Sequence, residues 1–276
     1  MPKPLAWGCS ERALRRLSHP LGTSLATCLD HPNGPFLANG RFRRCAGGGL
    51  SRIVAGMTTD TLQPYPVAGS RTWAGVFAAL YDPFLWVGER AGMRGHRRDL
   101  LAHARRQTLE IGSGTGLNLD HYPEDLDGLV LAEPDPSMRK RLQNAVRGSG
   151  RRARVIDAGA ERLPFADATI DTVVSTLVLC TVDAPDVALR EIGRVLRPDG
   201  QLLFIEHVRS EPPTLARWQD RLARPWRRFA EGCRCNRATL ELIEACGFRV
   251  DAHPAAWRAM PPIIRPLVIG RATIGA

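Results

Sequence analysis

No apolar run in this 276-residue sequence approaches the ~18 residues that a membrane-spanning helix needs. The N-terminus places Pro, Cys, Glu and Arg where a secretory signal would need an unbroken apolar core, so a cytoplasmic protein is expected. Lysine is almost missing: only Lys3 and Lys140 occur, and arginine carries nearly all the positive charge, as GC-rich coding would produce. That weakens a functional reading of the +10 net charge. The seven cysteines (Cys9, Cys28, Cys45, Cys180, Cys233, Cys235, Cys246) are odd in number and lack disulfide-framework spacing, so reduced thiols are expected. Cys233 and Cys235 beside His207 or His253 lack a second closely spaced ligand pair, so this is not a zinc pattern and no metal is expected.

What remains is a globular composition, 44% hydrophobic, with room for one α/β domain of about 200 residues plus extra material. The charge is unevenly placed. Residues 1–56 hold eight basic side chains against Glu11 and Asp30, so six of the ten net charges lie there. This stretch has little periodicity and is interrupted by His31–Pro35 and Cys45–Gly49, which reads as a disordered basic extension. Met57 is expected to be the natural start, with intact mass as the check; a basic interaction tail serving nucleic acid is the alternative. Residues 57–106 are expected to form N-terminal cap helices and residues 107–276 the catalytic domain.

The centre of the chain is Thr108–Leu117, where Leu109 and Ile111 suit a buried strand. Gly112, Gly114 and Gly116 then let the backbone turn sharply and approach a ligand. A second apolar run, Leu129–Ala132, ends in Glu133, where nucleotide-binding folds place the carboxylate that binds ribose hydroxyls. A dinucleotide fingerprint wants glycine at the sixth position of the loop, which here is Leu117, so no pyrophosphate is expected. With Glu110 ahead of it, Glu-x-Gly-x-Gly-x-Gly resembles the first motif of class I S-adenosylmethionine (SAM) methyltransferases. The resemblance implies that the loop meets the methionine part of SAM, with Glu110 near its ammonium. Ser113 and Asn118 of the loop, and Pro134 after Glu133, are counted among the cofactor-binding residues.

Further along, strand and helix alternate, which argues for a parallel sheet with right-handed crossovers and a ligand at the strands' carboxyl ends. Before the loop, Trp73, Val76, Phe77, Leu80, Tyr81 and Phe84 mark an amphipathic helix interrupted at Asp82-Pro83 and continuing to Arg90. A further helix is expected over 95–104. After the loop come a helix from Pro136 with Met138, Leu142 and Val146 on one face, a strand over 153–157, and a strand over 170–179. A helix over 184–196 and a strand from Gln201 to His207 follow. Residues 158–165 resemble the family segment lining adenine, with Gly159 where an Asp is usual; Ala160 and Glu161 are carried over as backbone contacts. Thr176 and Leu177 are expected near the reacting methyl. Leu215, Trp218, Leu222 and Trp226 form a helical stripe over an apolar pocket or the core. A helix over 237–246 and an antiparallel C-terminal hairpin close the chain.

Thr176–Val182, Glu191–Gly200, Phe204–Val208, Trp218-Gln219, Gly232-Cys233 and Asn236-Arg237 together resemble the methyltransferase-like 7 group, whose animal members are described as thiol S-methyltransferases. The fold implied is α/β, a doubly wound, Rossmann-like seven-stranded mostly parallel sheet with an antiparallel C-terminal strand. The membrane-anchoring N-terminal helix of those animal members has no counterpart here. SAM is the expected cofactor and a small, apolar methyl acceptor the expected partner, thiols first. A quinol or a lipid amine is the alternative. A free thiol with pKa about 8.5 reacts as thiolate, so His207 at the end of the fifth strand is the expected base, with a pocket-wall role as the alternative.

Overall fold

The computed structural model describes residues 71–275, with side chains from Gly75 onward. The 1–56 extension, the Met57 start, the cap region ahead of Arg71 and the Trp73 side chain lie outside the described residues. Helix α1 (Arg71–Gly88) runs unbroken through Pro83. The carbonyl that proline leaves unbonded belongs to exposed Ala79, where water can satisfy it. The expected apolar stripe is also turned: Val76, Leu80 and Phe84 are 43%, 57% and 41% exposed, while Ala78 and Leu85 are buried. The reason lies at Gly88, where an added Cβ would stand 2.4 Å from Trp257 Nε1. The helix therefore sits on its small residues, close against a buried tryptophan.

A π-helical turn (Glu89–Met93) kinked at Gly92 leads into α2 (Arg94–Leu101). It brings Glu89 and Arg97 together as a buried ion pair at 3.0 Å.

The remaining chain builds the sheet: β1 (Gln107–Ile111), β2 (Gly128–Ala132), α3 (Pro136–Ser149), β3 (Arg154–Ile156), β4 (Ile170–Thr176), α4 (Pro185–Val195) and β5 (Leu196–His207). Then follow α5 (Pro213–Phe229), α6 (Thr239–Ala245), β6 (Phe248–Ala256) and β7 (Pro266–Ile274). The strand order is β3-β2-β1-β4-β5-β7-β6. The first five strands pair in parallel, whereas β7 runs antiparallel to both β5 and β6. This is the expected seven-stranded doubly wound sheet.

Alternate residues of each strand enter opposite apolar clusters: Val173, Leu202 and Phe204 in one, Val174, Leu203 and Ile205 in the other. Both faces are covered, so β4 and β5 read as continuous apolar runs. Two boundaries differ from expectation. β4 stops at Thr176 because Leu177 takes a left-handed φ of 61°. β5 begins at Leu196, which pairs with Ile170 before an irregularity; the ladder resumes at Thr172 opposite Gln201. At α3, Asp135 caps the first turn by accepting from the Ser137 and Met138 amides at 2.8 Å, with Pro136 at the first helical position. On α5, Leu215, Ala216, Gln219, Leu222 and Trp226 face inward or are half-buried, while Trp218 is 55% exposed and leaves the expected stripe.

Candidate active site

Chain order reverses between β2 and β4 on either side of β1, and the strand ends there open a crevice. A cavity of about 340 Å³ fills it. Of the residues expected to bind cofactor, Gly112, Gly114, Glu133, Pro134, Ala160, Glu161, Thr176 and Leu177 line this cavity, and so does His207. Glu110, Ser113, Gly116 and Asn118 do not line it.

The loop explains the division. Gly112 has φ 53°, and an added Cβ would lie 2.7 and 2.9 Å from the methyls of Val178, so only glycine lets β1 pass the turn after β4. Gly114 has φ 57° with open space on its Cβ side, so a ligand can rest on bare main chain. Glu133 holds this shape: one carboxylate oxygen accepts from the Gly114 amide at 2.8 Å, the other from the Asp135 amide at 2.9 Å. Glu110 is turned away from the cavity and accepts from Tyr122 Oη at 2.7 Å and Asn118 Nδ2 at 2.9 Å. Asn118 in turn bonds Thr176 Oγ1 at 3.0 Å and accepts from Arg97 at 2.7 Å. This buried network braces the loop from beneath. From above, Thr115 Oγ1 donates to Asp82 of α1 at 2.6 Å. Burial pushes the Glu110 and Glu133 carboxyls up to about 7, with the hydrogen bonds just described opposing it.

The opposite end of the cavity is aromatic and apolar: Phe77, Phe84, Trp226, Phe229, Trp257 and Ile264. His207 and Cys233 line it too, and the polar lining of the cavity also includes Thr181, Asp183, Arg227 and Glu231. His207 Nδ1 lies 3.4 Å from Cys180 Sγ and 3.6 Å from Cys233 Sγ, and the two sulfurs are 4.0 Å apart. Nε2 is buried without a hydrogen-bond partner, and the Trp257 ring lies against the imidazole with centroids 5.9 Å apart. Burial pushes His207 down, but Cys233 and Glu206 push harder the other way and leave it raised. Cys233 is held well below the ordinary thiol range by Cys180, against burial, with His207 adding to the effect. Cys180 is raised by the same contact and by burial.

Sequence reasoning did not find Glu206. It is fully buried and accepts from Ser175 Oγ at 2.7 Å and from the amides of Val178, Leu179 and Cys180 at 3.0, 3.0 and 3.1 Å. The turn that carries Cys180 is built around this carboxylate. The convergence of Cys180 with Cys233 was also unexpected. Cys180, Cys233 and Cys235 are free thiols; Cys246 is disulfide-bonded, a correction to the expectation of reduced thiols throughout, since a single bond leaves no spacing signal.

A family profile described as a methyltransferase domain matches residues 109–204. The chain is 33% identical over 185 residues to thiol S-methyltransferase TMT1B of Rattus norvegicus, which covers 63% of this chain and 74% of that protein. To TMT1A of Homo sapiens it is 34% identical over 175 residues, covering 59% and 69%. Among solved structures, a SAM-dependent methyltransferase of Thermotoga maritima, a possible histamine N-methyltransferase, superposes with TM-score 0.54 at 22% identity, covering 73% of this chain and 98% of that one. The 1,6-didemethyltoxoflavin-N1-methyltransferase of Burkholderia thailandensis, with S-adenosylhomocysteine bound, gives 0.53 at 18% identity, covering 78% and 92%. Fold and glycine loop together define a class I SAM-dependent methyltransferase, with SAM as cofactor. The chain belongs to the family that contains the thiol S-methyltransferases TMT1A and TMT1B.

Proposed function

We propose that the chain methylates the sulfur of a small apolar alkyl thiol. The carrying observation is an aromatic wall of the cavity, Phe77, Phe84, Trp226, Phe229 and Trp257, in which Cys233 stands beside His207, a surface suited to an apolar chain ending in a soft sulfur. The names of the relatives point the same way. When bound, SAM supplies a methyl on a sulfonium sulfur, so the S–CH₃ bond to the acceptor forms as the sulfonium bond breaks and S-adenosylhomocysteine leaves.

The chain's own residues then have defined tasks. Gly112 and Gly114 present bare main chain to the methionine part, and Glu133 accepts from the ribose hydroxyls. Ala160 and Glu161 border the adenine, with Pro134 beside the ribose. Thr176 and Leu177 line the transferred methyl. Ser113 and Gly116 belong to the loop's own turn, and Glu110 and Asn118 brace it through their hydrogen bonds. His207 and Cys233 receive the acceptor's sulfur.

The test is S-adenosylhomocysteine formation from SAM with an alkyl thiol, a demethylated quinol, phosphatidylethanolamine or RNA. Turnover with the thiol is expected; faster turnover with quinol, lipid amine or RNA overturns the reading. Removal of residues 1–56 is expected to leave thiol turnover in place.

Glu133 also gives a pH prediction. Its folded-state pKa of about 7 lies above the unfolded carboxylate value, so its contribution to stability is present below about 4.5 and is lost as pH rises through about 7. Ribose hydroxyls donate to the ionised form, so SAM affinity follows the opposite course. SAM should bind about tenfold more weakly at pH 6 than at pH 8, and Glu133→Gln should flatten most of that dependence. Calorimetry at the two pH values checks it; an equal slope in the variant removes Glu133 from the ribose site.

A further inference from the structure

Among the described residues, Cys180, His207 and Cys233 form a cluster able to hold a metal ion. They come from three segments: the turn after β4, the end of β5 and the loop after α5. The separations are 3.4 Å and 3.6 Å from the two sulfurs to His207 Nδ1, and 4.0 Å between the sulfurs. A tetrahedral zinc ion with Zn–S about 2.3 Å and Zn–N about 2.0–2.1 Å would set its sulfurs about 3.8 Å apart and each about 3.5 Å from the nitrogen. The triangle is already that of one tetrahedral face.

Hydrogen bonding accounts for it less well. With Cys233 donating to Cys180 Sγ and Cys180 to Nδ1, both thiol protons are used, and the 3.6 Å approach of Cys233 Sγ to Nδ1 is left with none. A cation at the centre of the three atoms satisfies them all. The surroundings fit such a role. Nε2, the other ring nitrogen, is buried without a hydrogen-bond partner, which leaves Nδ1 as the nitrogen facing the sulfurs. Cys180 is held by the Glu206 carboxylate through its own amide. Cys233 is fixed by its amide bond to the Ala230 carbonyl at 3.0 Å. Cys180 is fully buried, whereas Cys233 and His207 line the acceptor end of the cavity, so a fourth position would open only there. Three protein ligands and one open position are the arrangement of a catalytic zinc, not of a structural one.

We propose that Cys180, His207 Nδ1 and Cys233 bind a zinc ion whose open position takes the acceptor's sulfur as thiolate. The inference rests on the thiol reading for its chemistry, but not for its geometry. On binding, the thiol's S–H bond breaks, a Zn–S bond forms in place of zinc-bound water, and the proton leaves with that water as hydronium. His207 is then a ligand, in place of the base expected from the sequence. Cys235, two residues from Cys233, is outside the cluster.

The test begins with metal content of the purified full-length chain, where about one zinc per chain is expected. After stripping with a chelator, titration with Co²⁺ should give tetrahedral d–d absorption and a sulfur-to-cobalt charge-transfer band, both saturating at one equivalent. Cys180→Ser and Cys233→Ser should lose the charge-transfer intensity stepwise, while Cys235→Ser keeps it. Stripping should slow thiol methylation about 30-fold at pH 7, the shortfall of a free thiol of pKa about 8.5 from full ionisation, with SAM affinity unchanged. No sulfur-ligated cobalt in the wild-type chain overturns the site whether or not the variants fold, and so does full thiol turnover by stripped enzyme. A metal-loaded chain that methylates the quinol or the lipid amine instead retains the site and overturns the thiol reading, so the two failures are distinct.

Discussion

Glu206→Ala is expected to lower the unfolding free energy by about 4 kcal/mol, because it leaves three buried backbone amides without an acceptor at about 1–3 kcal/mol each and opens a void. The three amides are those of Val178, Leu179 and Cys180, and Ser175 Oγ loses its acceptor as well. These amides cannot find partners elsewhere, because the turn starts at the left-handed Leu177 and is packed under Gly112. Glu206→Gln keeps one acceptor oxygen and should cost roughly half as much. Urea titration followed by near-UV fluorescence reads both variants. A loss below about 1 kcal/mol for Glu206→Ala would mean that the turn keeps its shape without the carboxylate, within the range of an ordinary surface change.

Glu133→Ala should weaken SAM binding by two to three orders of magnitude while leaving the chain folded. The residue has two tasks at once. It carries the hydrogen bonds that hold the Gly114 and Asp135 amides, and it presents its carboxylate to the cavity where the ribose is proposed to lie. Hydrogen bonds to a charged group are worth about 1.5–3 kcal/mol each; two of them at the lower part of that range, about 1.5–2 kcal/mol each, correspond to roughly 3–4 kcal/mol and a Kd change of about 200- to 1000-fold. Calorimetric titration with SAM gives the number directly, and circular dichroism shows whether the sheet survives. A change of less than about threefold would place the ribose elsewhere.

The parts of this enzyme legible in sequence are those whose cause is local. Leu109, Ile111 and the three glycines describe a strand and a turn within ten residues, and Pro136 marks a helix start at its first position. Apolar runs in β4 and β5 reflect burial on both faces. Where the cause is distant, the reading failed. The three- and four-residue apolar spacing put Val76, Leu80 and Phe84 on the inner face of α1, yet Trp257, far along the chain, packs against Gly88, and those three are 43%, 57% and 41% exposed. The end of β4 was invisible because leucine rarely marks a left-handed turn; that turn is held by Glu206, roughly thirty residues on, through backbone atoms that carry no sequence signature. Cys180, His207 and Cys233 come singly from three segments, so their convergence leaves no paired spacing in the sequence. The motif says nothing of the partners of Glu110, Asn118 and Tyr122, which donate to its carboxylate from eight and twelve residues further on.

The most direct test of the account follows the methyl group to its destination. The full-length chain is incubated with methyl-labelled SAM and an alkyl thiol that also carries a hydroxyl, and the position of the label in the product is read by NMR and mass spectrometry. The account predicts a thioether, with label on sulfur alone and one S-adenosylhomocysteine per label transferred. Label on oxygen, or S-adenosylhomocysteine formed only when a quinol or a lipid amine replaces the thiol, would contradict it.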